Sequence, residues 1–377
     1  MLTRNTLKTA KRIVVKIGTS TLTDDTGRLN HERIRLIAKE LTEMRKAGRE
    51  IVLVTSAAIS AGVERMGLSE RPATIPGKQA AAAVGQGILM QAYEKFFADY
   101  DQIVGQILMT REDTVKRDRY TNIRNTFNAL FSYEIIPIIN ENDAVAVDEI
   151  KIGDNDTLSA QVASIIDADL LIILSDIEGL YTSNPSSDPN ARLLYEIPVI
   201  TDYVEKAAGG VGSKHGTGGM MTKIQAAKIV VSSGISMVIA SGKEKDVFRR
   251  ILAGENIGTL FLSRKDRLQF RKRWLAFGAR VKGKLYVDDG CVKALKSGSS
   301  LLPAGITESE GEYASGATLS IFTQQGQEIA RGLSNYSNKE IEKIKGMKTA
   351  EIETCLGSKP FDEVIHRDNL VLMTGGK

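Results

Sequence analysis

The chain has 377 residues, 42% hydrophobic and 25% charged, which is the composition of a globular protein and too long for one ordinary domain. Its formal net charge of +4 is unevenly placed: residues 1–262 carry 31 Lys and Arg against 32 Asp and Glu, and residues 263–377 carry 19 against 14. Two cysteines without paired spacing (Cys291, Cys355) and three scattered histidines argue against a disulfide framework, a cysteine metal site and histidine chemistry, and no apolar run approaches the ~20 residues of a membrane span.

In chain order, the basic start from Met1 to Arg12 leads into a short strand and not into the apolar core of a leader, so the protein is expected in the cytoplasm. RIVVKIG is a β-branched strand. HERIRLIAKELTEMRKAG follows with apolar residues at helical spacing, then the strand EIVLVTS and an Ala-rich helix. Further strands are predicted at Ile103–Met109, Ile135–Asn140, Leu170–Ser175, Met237–Ala240 and Gly258–Phe261, with helices such as Asp156–Asp167 and Thr222–Ser233 between them. This alternation specifies an α/β three-layer sandwich on a mainly parallel eight-stranded sheet over residues 1–262. After Leu262 comes a basic linker, 263–274, and then short strands between tight turns: GKLYVDDG, ATLSIFTQQGQEIARG and NLVLM, with helices near Val292–Lys296 and Asn338–Lys345. Residues 275–377 therefore read as a small mostly-β domain. Its five surplus positive charges suit RNA contact without requiring it, because a nucleic-acid footprint is ordinarily a dense stripe.

Several segments place polar groups where a parallel sheet presents ligands, at strand carboxyl ends and helix starts. Lys16 precedes Gly18, Thr19 and Ser20 at the end of the first strand; glycine lets backbone N–H groups approach phosphate, and the lysine adds a fixed charge. Standing alone it is more readily a strand-edge lysine than a ligand contact. A second glycine-rich run, Gly216 to Lys223, enters a helix directly, an arrangement suited to an anion, although its spacing is neither a Walker A loop nor a dinucleotide fingerprint. Asn140 to Val145 and Gly153 to Ala160 are acidic-amide clusters; Asp154, Asn155 and Asp156 also fit a plain N-cap. Ser56 after EIVLVT and the pair Ser175-Asp176 after the Leu170 strand fit turns as well as ligand contacts. His366-Arg367-Asp368-Asn369 echoes a protein-kinase catalytic loop but lacks its downstream partners, and is a coincidence.

Taken in order, VVKIGTS, VTSAAISAG, AAVGQ, PIINENDAV, KIGDNDTLSA, SDIEGLY and GTGGMMTK resemble the successive segments of the glutamate 5-kinases, amino-acid kinases with a C-terminal PUA domain. RKRW, GSSLLPAGI and VIHRDN extend the resemblance into the second domain. It implies transfer of the γ-phosphoryl of Mg-ATP to the γ-carboxylate of L-glutamate, giving glutamyl 5-phosphate, the first step of proline biosynthesis. By similarity, Lys16 and Lys223 bracket the migrating phosphoryl and Asp156 orients them. Ser56, Asn140, Asp143 and Asn155 match glutamate-binding positions, with Asp143 assigned to the α-ammonium. Lys16, Gly18, Thr19, Ser175, Asp176 and the run Thr217, Gly218, Gly219, Met220, Met221, Thr222 and Lys223 match nucleotide-binding positions.

The resemblance also implies magnesium carried with the nucleotide and no protein metal cage, a homo-oligomer (dimer or tetramer), proline as feedback inhibitor and at most weak RNA contact through the PUA-like domain. Two residues depart from the family pattern: Ala57 where glycine is common, and Met221 where a small polar residue is common. Rival readings are the acetylglutamate, carbamate, uridylate and aspartate kinases, which share the lysines, and an RNA-binding or RNA-modifying protein, since PUA domains commonly serve those.

Overall fold

The apolar runs of the first two-thirds of the chain become eight strands: β1 (Arg12–Ile17), β2 (Glu50–Val54), β3 (Val104–Met109), β4 (Ile136–Glu141), β5 (Leu170–Ser175), β6 (Glu196–Ile197), β7 (Ser236–Ser241) and β8 (Thr259–Phe261). A computed structural model describes residues 3–115, 117–145, 155–185, 187–208, 219–263 and 281–373. They fall into two units, Met1–Lys265 and Asp266–Lys377. The expected linker, 263–274, lies outside the described residues apart from Ser263.

The first sheet has the order β3-β4-β2-β1-β5-β7-β8-β6, parallel throughout except where β8 runs antiparallel to β7. β1 is central, pairing with β2 and β5, with Lys16 opposite Val54 on one side and Ile173 on the other. Because side chains alternate across a strand, β1 feeds two separate cores. Ile13, Val15 and Ile17 pack with the helices His31–Lys46, Ile75–Ala98 and Val247–Leu252, whereas Val14 packs with the helices Asn155–Ile165 and Met220–Ser232. Lys16 has the parity of Val14. The alternation therefore directs its side chain to the layer that contains Asp156 and Lys223. The same parity rule puts Asn140, two residues after Ile138, on the face of the helix Ile75–Ala98.

That helix and the one before it cross with almost no space between backbones. A Cβ on Gly62 would lie 1.8 Å from the carbonyl oxygen of Ala81, and a Cβ on Gly85 would lie 1.9 Å from that of Ala58. Only hydrogen is accommodated there, which draws the helix Ile75–Ala98 down onto the segment that follows β2. At the opposite end of the domain, the buried guanidinium of Arg4 in the 3-10 turn Arg4–Thr9 donates to the carbonyls of Glu255 and Ile257 (2.8 Å each), Tyr195 (2.7 Å) and Gly258 (2.8 Å). A first-turn arginine thereby satisfies four acceptors from two distant segments.

The second unit holds a five-stranded sheet, β9 (Gly283–Val287), β10 (Ile306–Glu310), β11 (Thr318–Thr323), β12 (Glu328–Leu333) and β13 (Leu370–Leu372), ordered β10-β9-β11-β12-β13. Its own core contains Leu285, Leu319, Ile321, Tyr336, Ile341 and Ile365. β10 was not predicted, because ITESE has little apolar content: it is a bulged edge strand whose residues after Ile306 are largely exposed. The two-residue β6 was not predicted either. Elsewhere the predicted elements shift by one to three residues: the two site helices start at Asn155 and Met220, not Asp156 and Thr222, and the helix near Val292–Lys296 starts at Asp289.

The helix crossing yields a stability prediction. Gly85→Ala should destabilise the first unit by about 1–3 kcal/mol through overpacking. Gly87→Ala, where a Cβ meets nothing within 4 Å, should be neutral or stabilising by up to about 1 kcal/mol. Urea midpoints of the two variants check the contrast.

Candidate active site

The centre of the site is one carboxylate shared by two lysines. Asp156 Oδ1 lies 2.5 Å from Lys16 Nζ and Oδ2 lies 3.0 Å from Lys223 Nζ. The side chains are 0%, 7% and 5% exposed respectively. Thr222 Oγ1 adds a contact at 3.1 Å from Oδ2 and also lies 2.7 Å from the carbonyl of Gly219. Asp156 sits in the first turn of its helix, where the helix dipole favours an anion. Lys223 occupies the first turn of the helix Met220–Ser232, where a cation is disfavoured and needs such a partner. Burial alone would push the Asp156 carboxyl up; the two ammonium groups outweigh that and hold it down at about 2. One negative charge between two positive ones leaves the cluster with a surplus positive charge.

Around this centre are groups suited to phosphate. Gly18 follows β1 and donates its N–H to Leu174 O at 3.3 Å; a Cβ there would stand 3.7 Å from Lys16 Nζ, so the residue lies directly beside that ammonium group. Thr19 begins the short helix after it. Gly219 caps the Met220 helix without a side-chain hydrogen bond, so the first-turn amides of Met220, Met221 and Thr222 receive no cap from Gly219. Met221 is 39% exposed. At the end of β5, adjacent to β1, buried Ser175 donates to Asp176 at 2.9 Å, and Asp176 itself is exposed. Thr217 and Gly218 lie outside the described residues.

A second group adjoins the first through the peptide bond between Asn155 and Asp156. Asn155 Nδ2 lies 2.7 Å from Thr55 O, 2.9 Å from Ser56 Oγ and 3.1 Å from Asn140 Oδ1. Asn140 Nδ2 in turn donates to Gln86 Oε1 at 2.7 Å. Ser56, Asn140 and Asn155 are thus brought together. Asp143, in the turn after β4, is not hydrogen-bonded to this network among the described residues. It is half-buried, and burial pushes its carboxyl above the ordinary carboxylate range, with Arg71 opposing.

Two features were not apparent from sequence. Gln86 belongs to the network although it sits in an Ala-rich helix; its available signal was a lone amide beside a glycine in AAVGQ. Ala57 departs from a glycine common at its position, and its backbone shows what that glycine serves: φ is +78°, the left-handed region, at the turn into the helix Ala58–Arg65. For a residue with a Cβ this costs about 1–2 kcal/mol, which accounts for glycine being common at this position.

The chain matches two family models: the amino acid kinase family over residues 11–241, and the PUA domain over residues 283–356. A glutamate 5-kinase of Caldanaerobacter subterraneus subsp. tengcongensis is 53% identical over 97% of this chain and 99% of its own. Another, from Moorella thermoacetica, is 52% identical over 98% of each. Among solved structures, a UMP kinase from Bacillus anthracis is 18% identical over 67% of this chain and 96% of its own, with a TM-score of 0.47.

The depressed acidity of Asp156 has a definite sign in stability. A carboxylate lower in the folded state (about 2) than in the unfolded chain (3.8) contributes stability that is fully present above the unfolded value and is lost as pH falls through about 4 to 2. The contribution is roughly 2 kcal/mol at neutral pH. In urea titrations, the stability difference between wild type and Asp156→Asn should narrow over that acid range.

Proposed function

Because the chain belongs to the amino acid kinase family, and within it to the glutamate 5-kinases, we propose that Lys16, Asp156 and Lys223 carry its phosphoryl transfer. The reaction is ATP-dependent phosphorylation of the γ-carboxylate of L-glutamate to L-glutamyl 5-phosphate, the first step of proline biosynthesis. The observation that supports this assignment is the buried carboxylate 2.5 and 3.0 Å from two ammonium groups at the carboxyl end of a parallel sheet.

The chemistry needs little else. The acceptor carboxylate is already ionised at neutral pH, so no general base has to be built; what is required is positioning and positive charge on the transferring oxygens. Lys16 and Lys223 supply that charge from fixed, dehydrated positions, where it acts more strongly than in water. Asp156 positions them. It holds the ammonium groups apart from each other and aimed at the same space, so they need not reorganise when phosphate arrives. The N–H of Thr19, next to Gly18 whose own N–H is taken by Leu174, and those at the start of the Met220 helix, with Ser175 and Asp176, hold the nucleotide. Among the described residues no three acidic, His or Cys side chains gather as a metal cage. We further propose that magnesium enters with the nucleotide, held by its phosphates, where it would neutralise charge.

Glutamate carries a free α-ammonium that acetylglutamate and carbamate lack. Asp143 and the carbonyl of Asn155 are acceptors for it, with Ser56 and Asn140 completing the binding set. We assign residues 1–262 to catalysis and 275–377 to an auxiliary PUA-like domain with at most weak RNA contact. A cytoplasmic homo-oligomer, dimeric or tetrameric, inhibited by proline completes the proposal. Among the described residues no helix is long and apolar enough to cross a membrane.

Two measurements test the assignments. Lys223→Ala should lower kcat by about 10²–10³ in a hydroxamate assay that traps the acyl phosphate, the protein remaining folded by circular dichroism; near-normal turnover would remove Lys223 from the chemistry. Asp143→Ala should raise the glutamate KM about tenfold or more while leaving the ATP KM unchanged. Since Asp143 must be ionised to meet an ammonium, the wild-type glutamate KM should climb on acidification at a pH above that of an ordinary aspartate, and Asp143→Asn should flatten that climb.

A further inference from the structure

The amide network beside Asp156 is directional and ends in two bare atoms. The two hydrogens of Asn155 Nδ2 are shared among Thr55 O, Ser56 Oγ and Asn140 Oδ1, and its Oδ1 is buried without a partner among the described residues. Asn140 uses both ends, accepting from Asn155 and donating to Gln86. Gln86 then spends its Oε1 on Asn140, and its Nε2 is buried without a partner among the described residues. The relay thus presents an unpaired acceptor at one end and an unpaired donor at the other. Buried amide atoms are ordinarily hydrogen-bonded, and an orphan pair of opposite character beside a substrate site marks where a ligand completes the set. Glutamate is a zwitterion that carries both complements.

The polarity decides which part of the ligand meets which end. An amide N–H donor takes an oxygen acceptor, so Gln86 faces a carboxylate and not an ammonium. Asn155 is the immediate neighbour of Asp156, whereas Gln86 is removed from it by two further side chains. The γ-carboxylate has to reach Lys16 and Lys223, which leaves the α-carboxylate for the remote end. Gln86 has no freedom to retreat: its neighbour Gly85 is wedged against Ala58 O and the amide nitrogen of Gly62, where a Cβ would meet them at 1.9 and 2.3 Å.

We propose that Gln86 is a substrate-binding and specificity residue whose carboxamide N–H groups donate to the α-carboxylate of glutamate. This rests on the glutamate 5-kinase reading and adds to it the group that recognises the non-reacting carboxylate.

The test uses the full-length protein and the hydroxamate assay with two acceptors, glutamate and its α-amide, isoglutamine. Gln86→Glu keeps an oxygen for Asn140 but replaces the donor with a second acceptor. It should raise the glutamate KM about tenfold to hundredfold, the scale of a lost hydrogen bond to a charged group, while leaving kcat and the ATP KM within about threefold. It should also shift the kcat/KM ratio of glutamate to isoglutamine by at least about tenfold toward the amide, because a neutral amide can donate to the new carboxylate. Gln86→Ala should raise the glutamate KM with a smaller change in that ratio. An unchanged glutamate KM in a folded Gln86→Glu protein, as expected if a trapped water satisfies Nε2, overturns the proposal. So does an equal loss for both acceptors, which would show that Gln86 only supports Asn140. If the wild-type protein forms no hydroxamate from glutamate, the parent assignment fails first and Gln86 falls with it.

Discussion

A carboxylate with no exposed surface, placed between two lysines, is the constraint around which the catalytic domain is organised. Removing three charges from water is expensive, and the arrangement persists only because each charge has its partner; deleting one member of such a set typically costs about 3–5 kcal/mol. The three residues come from β1 and from the first turns of two different helices. The fold must therefore bring both helix starts to one end of one strand. A parallel sheet does this without special provision, because every crossover helix begins near the carboxyl edge.

The amide network is the neutral counterpart of that charged cluster. It shares the Asn155-Asp156 peptide with it, so the proposed substrate-reading network and the charged cluster proposed to act on the phosphoryl are one residue apart. Small residues make this proximity possible. Gly62 and Gly85 let two helices nearly touch, and Ala57 accepts a backbone shape that suits glycine better. Local comfort is surrendered near the site, where positioning is worth more than propensity.

Much of this was legible in the sequence because periodicity carries it. The strands β1, β2, β4, β5 and β7 are dense runs of Val, Ile and Leu, buried on both faces, and such runs stand out from amphipathic helices. Lys16 and Lys223 were identifiable from their glycine-containing surroundings, and Asp156 by family resemblance. What escaped was whatever depends on contacts between remote segments. Gln86 follows no spacing rule relative to Asn140, and the left-handed φ of Ala57 leaves no mark in composition. β10 has too few apolar residues to announce a strand; its pairing with β9 makes it one.

The Arg4 contacts have a consequence for the order in which the polypeptide is made. Arg4 is made well before its acceptors at Tyr195 and at 255 to 258, so its bonds span as many as 254 positions. Until those segments are made this guanidinium lacks its four carbonyl acceptors, and β1, the central strand, waits for β5 to close one of its sides. Lys223 likewise emerges long after Lys16 and Asp156, so a nascent chain holds the carboxylate and one lysine before the second arrives. Domain closure is therefore a late event on the ribosome, completed by the last strand of the sheet. The second unit is made after it, and at roughly 5–20 residues translated per second the first unit has several seconds in which to settle before the second is whole.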